Sequence, residues 1–194
     1  MIADEDLMRE WQQGSAGALE ALVQRHHAPL LAHLVRLTGE VHLAEDLAQE
    51  TFVRLVREAR TYRYPRPFKP WFYTIARHLA RNHWQSAYHR HVEVDTNKAS
   101  ADRPGGDPDP ADWFDRLERH EGMQAALGGL SFDQREALSL RFGQDLSIEE
   151  TAVVIGVPTG TVKSRTFTAL RRLRDRLEQA DAKTDDTREG HIYG

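Results

Sequence analysis

The C-terminal third of the chain contains the residue spacing that most constrains the fold. Ser147 is followed three residues later by Glu150, the capping-box spacing that satisfies the first free N–H groups of a helix. Gly156 permits a sharp backbone turn, and Pro158 suits the entry to a helix but not its interior. A second helix is predicted from about Thr159. Together these residues predict two helices joined by a tight turn, a helix-turn-helix.

The predicted second helix is apolar on one side and strongly basic elsewhere. Its apolar residues fall near helical spacing: Val162, Leu170, Leu173 and Leu177. Its polar positions up to residue 176 contain a single acid, Asp175, and these cations: Lys163, Arg165, Arg171, Arg172, Arg174 and Arg176. A short helix, a tight turn and a basic helix indicate a reader of the DNA major groove. The alternative is a helical hairpin whose basic face is simply solvated.

The length and the composition limit the possible classes of protein. A chain of 194 residues holds one large or two small domains, and a formal net charge of −4 does not by itself indicate a nucleic-acid partner. The absence of cysteine excludes disulfides, thiolate metal sites and thiol redox sensing. The acidic N-terminus lacks the apolar core of a signal peptide, and no window approaches the roughly 18 apolar residues of a membrane span. We expect a soluble intracellular protein with no direct membrane insertion.

Apolar periodicity predicts helices along nearly the whole chain and no strand. One or two helices are predicted to end before Gly39, and an amphipathic helix follows from about Ala44 to Val56. Three prolines, at 65, 67 and 70, then break the pattern, because each lacks an N–H donor and restricts the preceding residue. A further helix is predicted from about Trp71 to Trp84.

The expected fold is all-α, with two small helical domains joined by a flexible linker. Clustered Pro, Gly and Asp with few apolar residues are typical of such a linker. The predicted parts are an N-terminal domain at 1–85, a flexible acidic linker at 86–112, a helix-turn-helix domain at 113–178 and a disordered tail at 179–194. Asp107, Asp109 and Glu118 have the spacing of calcium ligands, but Asp112 replaces the glycine that such a loop requires, so calcium is not predicted.

An acidic surface is predicted on the amphipathic helix of the N-terminal domain. Residues 40–50 contain four acids and no lysine or arginine, and Asp46, Gln49 and Glu50 project from the same side. Asp46 and Glu50 are four residues apart, where like charges cost a few tenths of a kcal/mol. Either this face is solvated, or it docks on a basic partner surface.

A second surface combines aromatic and basic residues. Residues 54–90 contain nine Lys or Arg and one acid. The aromatic residues of this region are Tyr62, Tyr64, Phe68, Trp71, Phe72, Tyr73 and Trp84, and they alternate with Arg60, Arg63, Arg66, Lys69, Arg77 and Arg81. Stacking platforms beside phosphate-binding cations favour an interaction with single-stranded nucleic acid. Some of these side chains must belong to the core, and Phe72 and Ile75 are the candidates.

Two separated segments resemble the extracytoplasmic-function (ECF) class of bacterial RNA polymerase sigma factors. The first, AEDLAQETFVRL with FKPWFYTIARHLARNHW, is similar to region 2 of the family, and the second, LSFDQREALSLRFGQDLSIEETAVVIGVPTGTVKSR, is similar to region 4. They stand in the family's order, with a linker in place of region 3. The resemblance implies an alternative sigma factor without catalytic activity, which binds core RNA polymerase, directs it to promoters and assists promoter opening.

The resemblance also implies roles for matching residues. Asp46, Gln49 and Glu50 correspond to the surface that binds the β′ clamp helices of core polymerase. The −10 element is expected to contact Tyr62, Tyr64, Phe68, Lys69, Trp71, Arg77, His78 and Arg81. The −35 element is expected to contact Arg141, Thr161, Lys163, Ser164, Arg165 and Phe167.

Further partners and a location follow from the same resemblance. They are promoter DNA, the β flap of core polymerase and an anti-sigma factor. The protein is expected in the bacterial cytoplasm, where it is associated with the nucleoid during initiation or sequestered at the membrane by an anti-sigma factor.

Several residues depart from the pattern of the family. In the region 2-like segment they are His78 for the frequent Asn, Asn82 for Asp, and Gln85 and Ser86 for basic residues. In the second helix of the helix-turn-helix, Thr166 and Thr168 stand where Leu and Arg are frequent. We therefore expect the set of −35 contacts to be reduced or altered.

Two other classes of protein are the alternatives. A stand-alone helix-turn-helix regulator needs neither the acidic face nor the aromatic and basic surface. An enzyme has little support, because the chain lacks a phosphate-binding Gly-Lys loop and a His-Glu-x-x-His metal motif. The ten histidines, among them His26, His33, His78 and His83, are scattered over the predicted helices, so neither a metal site nor a cofactor is predicted.

Overall fold

The computed structural model describes residues 2–88 and 123–189, with side chains described for residues 2–86 and 123–176. Apart from residues 86–88, which continue a helix, the predicted linker lies outside these ranges, as do the predicted start of the second domain at 113 and the calcium-loop candidates Asp107, Asp109 and Glu118. Within the described ranges the regular structure is helical and no strand is present.

Four α-helices form the described part of the N-terminal half, residues 2–88. They are α1 (Asp4–Gln12), α2 (Ala16–Thr38), α3 (Val41–Glu58) and α4 (Phe68–Tyr88), with a 3-10 turn at Ala59–Thr61 after α3. α2 is a single helix with Pro29 inside it, and it ends at Gly39, whose φ of 78° lets its N–H close the last turn on the carbonyl of Val35. α4 begins before the predicted Trp71. The expected break at Pro70 is therefore wrong, because a proline in the first turn removes no intrahelical hydrogen bond.

The core of the N-terminal half is made from one face of each helix. Its most deeply buried side chains are Met8, Leu22, Leu30, Leu34, Leu37, Leu55, Phe68, Phe72 and Tyr73. Phe72 and Ile75 are buried, as the sequence predicts. They lie on α4 with Phe68, Ala76 and Leu79, at the three- and four-residue spacing of an amphipathic helix.

The C-terminal half contains the predicted helix-turn-helix. Its elements are α5 (Met123–Gly128), α6 (Phe132–Leu138), a π-helical turn (Ser139–Gly143), α7 (Ile148–Ile155) and α8 (Thr159–Glu189). The capping box at the start of α7 is confirmed: the N–H of Glu150 donates to Ser147 Oγ at 3.0 Å, and the N–H of Ser147 donates to Glu150 Oε2 at 2.8 Å. Gly156 ends α7 with a φ of 73°, and α8 begins at Thr159 as predicted.

α8 buries one face against the rest of the C-terminal half. Val162, Ala169 and Leu173 are fully buried, Leu170 is partly buried, and the side chain of Leu177 lies outside the described range. The backbone of α8 remains helical to Glu189. The tail predicted to be disordered from 179 is therefore helical over its first part, residues 179–189.

The two halves pack on each other through α2, α4 and the segment from α6 to α7. Apolar residues of this segment belong to the same buried core as the N-terminal helices, and they are Phe132, Ala137, Leu140, Leu146, Val154 and Ile155. A smaller separate core lies between α5, α6 and α8, around Leu127, Leu138 and Leu173. The two halves thus meet across a continuous apolar contact.

Candidate nucleic-acid interface

The first turns of α8 present polar side chains on the surface of the helix-turn-helix. Lys163 and Ser164 are exposed, and Thr161 and Phe167 are half-buried. The second helix of such a motif places its N-terminal residues at base edges in the major groove. A cation and hydroxyls can bind phosphate oxygens or base edges, and an aromatic ring can contact a thymine methyl group. These four predicted −35 residues therefore lie together.

The two arginines predicted for the −35 element are held by other groups of the protein. Arg165 Nη2 donates to Asp133 Oδ2 at 2.7 Å, which joins α8 to α6. Arg141 lies in the π-helical turn and donates to the backbone carbonyl of Leu146. Neither guanidinium is fully exposed, and only Arg165 lies on α8 with the other candidates.

Thr166 and Thr168 differ in their surroundings. Thr166 is 9% exposed, and its hydroxyl donates to the carbonyls of Val162 at 2.8 Å and Lys163 at 3.0 Å. It belongs to the buried face of α8, and its hydroxyl is bonded to the backbone of its own helix, so it offers no exposed contact. Thr168 is half-buried.

One face of α4 lies against the C-terminal half through residues spaced four apart, namely Lys69, Tyr73, Arg77 and Arg81. Lys69 Nζ donates to the backbone carbonyl of Gln144 at 3.3 Å, and the Tyr73 hydroxyl donates to Oε1 of the same residue. Burial raises the pKa of Tyr73, so its hydroxyl keeps the proton that it donates. Cations predicted to read the −10 element therefore face the C-terminal half.

Arg77 forms an ion pair with a buried acid. Its Nε lies 3.1 Å from Oε1 of Glu136 in α6, and Glu136 is fully buried. Among the described residues neither carboxylate oxygen of Glu136 accepts a directed hydrogen bond. Burial raises the pKa of Glu136 to about 7, against the opposing effect of the Arg77 charge.

Asp133 binds an arginine from each of the predicted DNA-reading helices. Its Oδ1 accepts from Arg81 Nη1 of α4 at 3.1 Å, and its Oδ2 accepts from Arg165 Nη2 of α8 at 2.7 Å. Next to this contact, the ring of Trp84 lies 5.5 Å from that of Phe132, between ring centroids. One carboxylate on α6 thus accepts hydrogen bonds from both guanidinium groups.

A buried polar cluster joins α2 to the π-helical turn. Arg36 Nε donates to Ser139 Oγ at 2.9 Å, and His33 Nδ1 lies 2.8 Å from the same hydroxyl. Burial, reinforced by the charge of Arg36, lowers the pKa of His33 to about 3. His33 is therefore neutral, and its Nδ1 can accept the Ser139 proton. No local sequence pattern marks this cluster, because it depends on residues about 100 positions apart.

Two aromatic residues predicted to face DNA belong to the N-terminal core. Tyr62 is 3% exposed and Phe68 is fully buried. The Tyr62 hydroxyl donates to the backbone carbonyl of Arg66. The prediction that these two rings bind bases is corrected by their burial: Phe68 lies on the apolar face of α4, and Tyr62 packs beside it at 6.3 Å between ring centroids.

The remaining candidates for the −10 element are more accessible. Tyr64 is 44% exposed, and the guanidinium of Arg9 lies 4.4 Å from its ring centroid. Trp71 is half-buried against Phe68, and His78 is exposed on α4. The rings that remain available for stacking are therefore those of Tyr64, Trp71 and His78.

The predicted acidic surface lies on α3. Asp46 and Gln49 are exposed, while Glu50 is half-buried and accepts a hydrogen bond from Arg54 Nε at 3.0 Å. The structure therefore brings the three predicted polymerase-binding residues together on one side of the helix.

Two exposed valines extend this acidic surface, and the sequence analysis did not identify them as part of it. Val53 is 40% exposed and Val56 is 43% exposed. The signal that could have found the surface is the spacing Gln49–Val53–Val56, which continues along the same face of α3 as Asp46.

The described residues contain no group of three or more His, Asp or Glu placed to hold a metal ion. His33 is engaged by Ser139, and His26 Nε2 lies 2.9 Å from Asp4 Oδ2, which ties α1 to α2. In the part of the chain that the structure describes, no helix is both long enough and apolar enough to span a membrane.

Comparisons with known proteins identify the family of this fold. Residues 22–90 match Sigma-70 region 2, and residues 126–175 match Sigma-70, region 4. The chain is 32% identical over 187 residues to the RNA polymerase sigma-H factor of Pseudomonas aeruginosa, which covers 91% of this chain and 93% of that protein. It is 33% identical over 179 residues to the ECF RNA polymerase sigma factor BldN of Streptomyces coelicolor, covering 92% of this chain and 67% of that protein. The chain belongs to the ECF class of RNA polymerase sigma factors.

Solved structures support the same fold. CnrH in complex with the cytosolic domain of CnrY superimposes with a TM-score of 0.69 at 23% identity, over 92% of this chain and 99% of that one. The sigma factor RpoE in complex with the anti-sigma factor NepR, from Bartonella quintana, gives a TM-score of 0.60 at 26% identity, over 82% and 98%. The prediction of an all-α sigma factor with region 2-like and region 4-like domains is confirmed. The protein is an alternative sigma factor that acts in transcription initiation.

Proposed function

We propose that this sigma factor binds core RNA polymerase through α3 and reads promoter DNA through α4 and α8. The observation that carries the proposal is one chain with two different surfaces: an exposed acidic and apolar face on α3, and a helix-turn-helix whose second helix exposes its first turns. A stand-alone DNA-binding regulator needs the second surface and not the first.

The face of α3 suits a basic partner with an apolar patch. Asp46 and Gln49 supply exposed polar groups, and Val53 and Val56 supply exposed apolar surface on the same side. An interface gains affinity mainly from apolar contacts and gains register from charge complementarity. We assign this face, with Glu50, to the β′ clamp helices of core polymerase, and we assign the helix-turn-helix domain to the β flap.

The start of α8 is assigned to the −35 element. Thr161, Lys163, Ser164 and Phe167 lie at the N-terminal end of the second helix, where such motifs contact base edges. Two arginines complete the set: Arg165 of α8 and Arg141 of the π-helical turn. Each would first have to release its protein partner, which is Asp133 for Arg165 and the Leu146 carbonyl for Arg141. Arg binds guanine edges or phosphates in preference to other groups of DNA.

The outer surface of α4 and the loop before it are assigned to the opened −10 element. Tyr64, Trp71 and His78 offer rings for stacking. Lys69, Arg77 and Arg81 offer cations for phosphates, and these three face the C-terminal half in this structure. Their use on DNA requires that the two halves separate.

We further propose that an anti-sigma factor regulates this protein in the cytoplasm. Support comes from the solved structures of similar fold, in which CnrH is bound to CnrY and RpoE is bound to the anti-sigma factor NepR. An anti-sigma factor at the membrane would sequester the protein there, and core polymerase would bring it to the nucleoid during initiation.

The assignment of α3 can be tested by binding to purified core polymerase. We expect Asp46→Asn to weaken the affinity for core polymerase roughly tenfold, because it removes an exposed charge from the proposed contact. The matched control is Glu20→Gln, which removes an exposed acid from α2. Equal affinities for the two variants would contradict the assignment, provided that circular dichroism shows both to be folded.

A further inference from the structure

Two acids of α6 face the cations of the proposed DNA-reading surfaces. Asp133 and Glu136 are three residues apart, so they lie on the same side of the helix. Asp133 contacts Arg81 and Arg165, and Glu136 contacts Arg77. All three arginines belong to the residues assigned above to the −10 and −35 elements.

We propose that Asp133 and Glu136 act as an internal substitute for DNA phosphate, which holds the free sigma factor closed and keeps it from binding promoter DNA. This inference rests on the proposed function, because it assumes that Arg77, Arg81 and Arg165 contact DNA. The inference adds regulation within the chain itself, through the contacts of the α6 acids with arginines of α4 and α8.

Asp133 competes with DNA phosphate for hydrogen-bond donors of Arg81 and Arg165. A guanidinium group binds carboxylate and phosphate with the same charge-assisted geometry. The Arg81–Asp133 contact is 3.1 Å and the Arg165–Asp133 contact is 2.7 Å, both with hydrogen-bond geometry. While these bonds exist, neither guanidinium can present the same N–H groups to a phosphate.

The closed form also holds Arg81 and Arg165 too close together to reach two separate promoter elements. Asp133 brings the guanidinium groups of Arg81 and Arg165 to the two oxygens of one carboxylate. The centres of the −10 and −35 elements are about 25 base pairs apart, which is roughly 85 Å of B-form DNA at 3.4 Å per base pair. The two arginines therefore cannot reach both elements while they share Asp133, so the closed form and the promoter-bound form exclude each other.

The ion pairs of these acids with Arg77 and Arg81 make a small net contribution to stability, and it acts on the contact between the halves. A buried ion pair has a desolvation cost that offsets much of its Coulombic attraction. Glu136 is fully buried, and neither of its carboxylate oxygens accepts a directed hydrogen bond among the described residues. The apolar contacts between the halves already supply packing energy. The two carboxylates also determine that Arg77, Arg81 and Arg165 are the cations covered in the closed form.

The test uses the free full-length chain. It contains no cysteine, so Gln24→Cys on α2 and Val153→Cys on α7 provide two exposed sites for spin labels. The label distance is measured by pulsed electron paramagnetic resonance in the parent chain and with Asp133→Asn. The affinity of the free chain for a fluorescein-labelled single-stranded DNA oligonucleotide is measured by anisotropy. Glu149→Gln, an exposed acid at the start of α7, is the control for the loss of one negative charge.

We expect Asp133→Asn to shift the label distances to longer values and to tighten oligonucleotide binding about fivefold more than Glu149→Gln does. An unchanged distance distribution, or a gain in affinity no larger than that of the control, would overturn the inference. Promoter-dependent transcription by core polymerase with the unlabelled parent chain is measured in parallel. If that transcription is absent, the proposed function has failed. If it is present while the distances do not change, only the internal substitute for phosphate has failed.

Discussion

Two buried residues at the contact between the halves have pKa values displaced in opposite directions. Burial and the charge of Arg36 lower the pKa of His33 to about 3, and burial raises the pKa of Glu136 to about 7. Between about pH 3 and pH 6.5 the imidazole of His33 is therefore neutral in the folded chain, whereas it binds a proton in the unfolded chain. Between about pH 4.5 and pH 7 the carboxyl of Glu136 binds a proton in the folded chain, whereas it is ionised in the unfolded chain.

The two residues give opposite dependences of stability on pH. The contribution of His33 to the free energy of unfolding is fully present above about pH 6.5. It falls at lower pH and is smaller by about 2 kcal/mol at about pH 5. The contribution of Glu136 to the free energy of unfolding is fully present below about pH 4.5 and is lost as the pH rises to about 7, by about 3 kcal/mol. We expect His33→Gln to become more stable, relative to the parent chain, as the pH falls from about 7.5 to about 5, and Glu136→Gln to become less stable. Urea denaturation at several pH values measures both, and parallel curves for the two variants would contradict these assignments.

At the scale of single elements, the turn of the helix-turn-helix depends on one backbone conformation. Gly156 has a φ of 73°, and a Cβ at this position would meet no atom within 4 Å. A substitution there is therefore strained by its own backbone and not by a clash with neighbours. The same motif begins at a capping box on Ser147, so its start and its end are both fixed by local interactions.

We expect Gly156→Ala to lower the free energy of unfolding by about 1–2 kcal/mol, because a residue with a Cβ is disfavoured at positive φ. Gly160→Ala is the matched control: Gly160 lies in α8, its φ is not in the positive region, and a Cβ there meets no atom within 4 Å. We expect the control to leave stability unchanged or to raise it slightly, because alanine favours a helix more than glycine does. Equal destabilisation by both substitutions, measured by urea denaturation, would show that backbone strain at Gly156 is not the cause.

Elements whose signals are local were predictable from the sequence. The capping box at Ser147, the turn at Gly156 and the start of α8 at Thr159 each depend on residues within one or two helical turns. The burial of Tyr62 and Phe68 was not predictable, because an aromatic residue beside cations suits a core and a base-stacking surface equally well. Which of the two is realised depends on packing against α1 and α2, far away in the sequence.

At the scale of the whole molecule, the closed contact between the halves was the feature that the sequence did not predict. It joins α4 to α6, and α2 to the π-helical turn, through pairs such as Arg81–Asp133 and Arg36–Ser139. Single residues of this contact have no distinctive local pattern. The family resemblance predicts two domains and their separate roles, but it does not predict which polar groups pair when the domains pack together.

We propose that this chain gives core RNA polymerase its choice of promoter by using two DNA-reading surfaces. The most direct test is transcription of fragmented genomic DNA by purified core polymerase, with and without the chain, followed by mapping of the transcript 5′ ends. We expect the chain to create new 5′ ends that lie downstream of one shared pair of sequence elements, centred near positions −10 and −35. The same 5′ ends with and without the chain would contradict the claim.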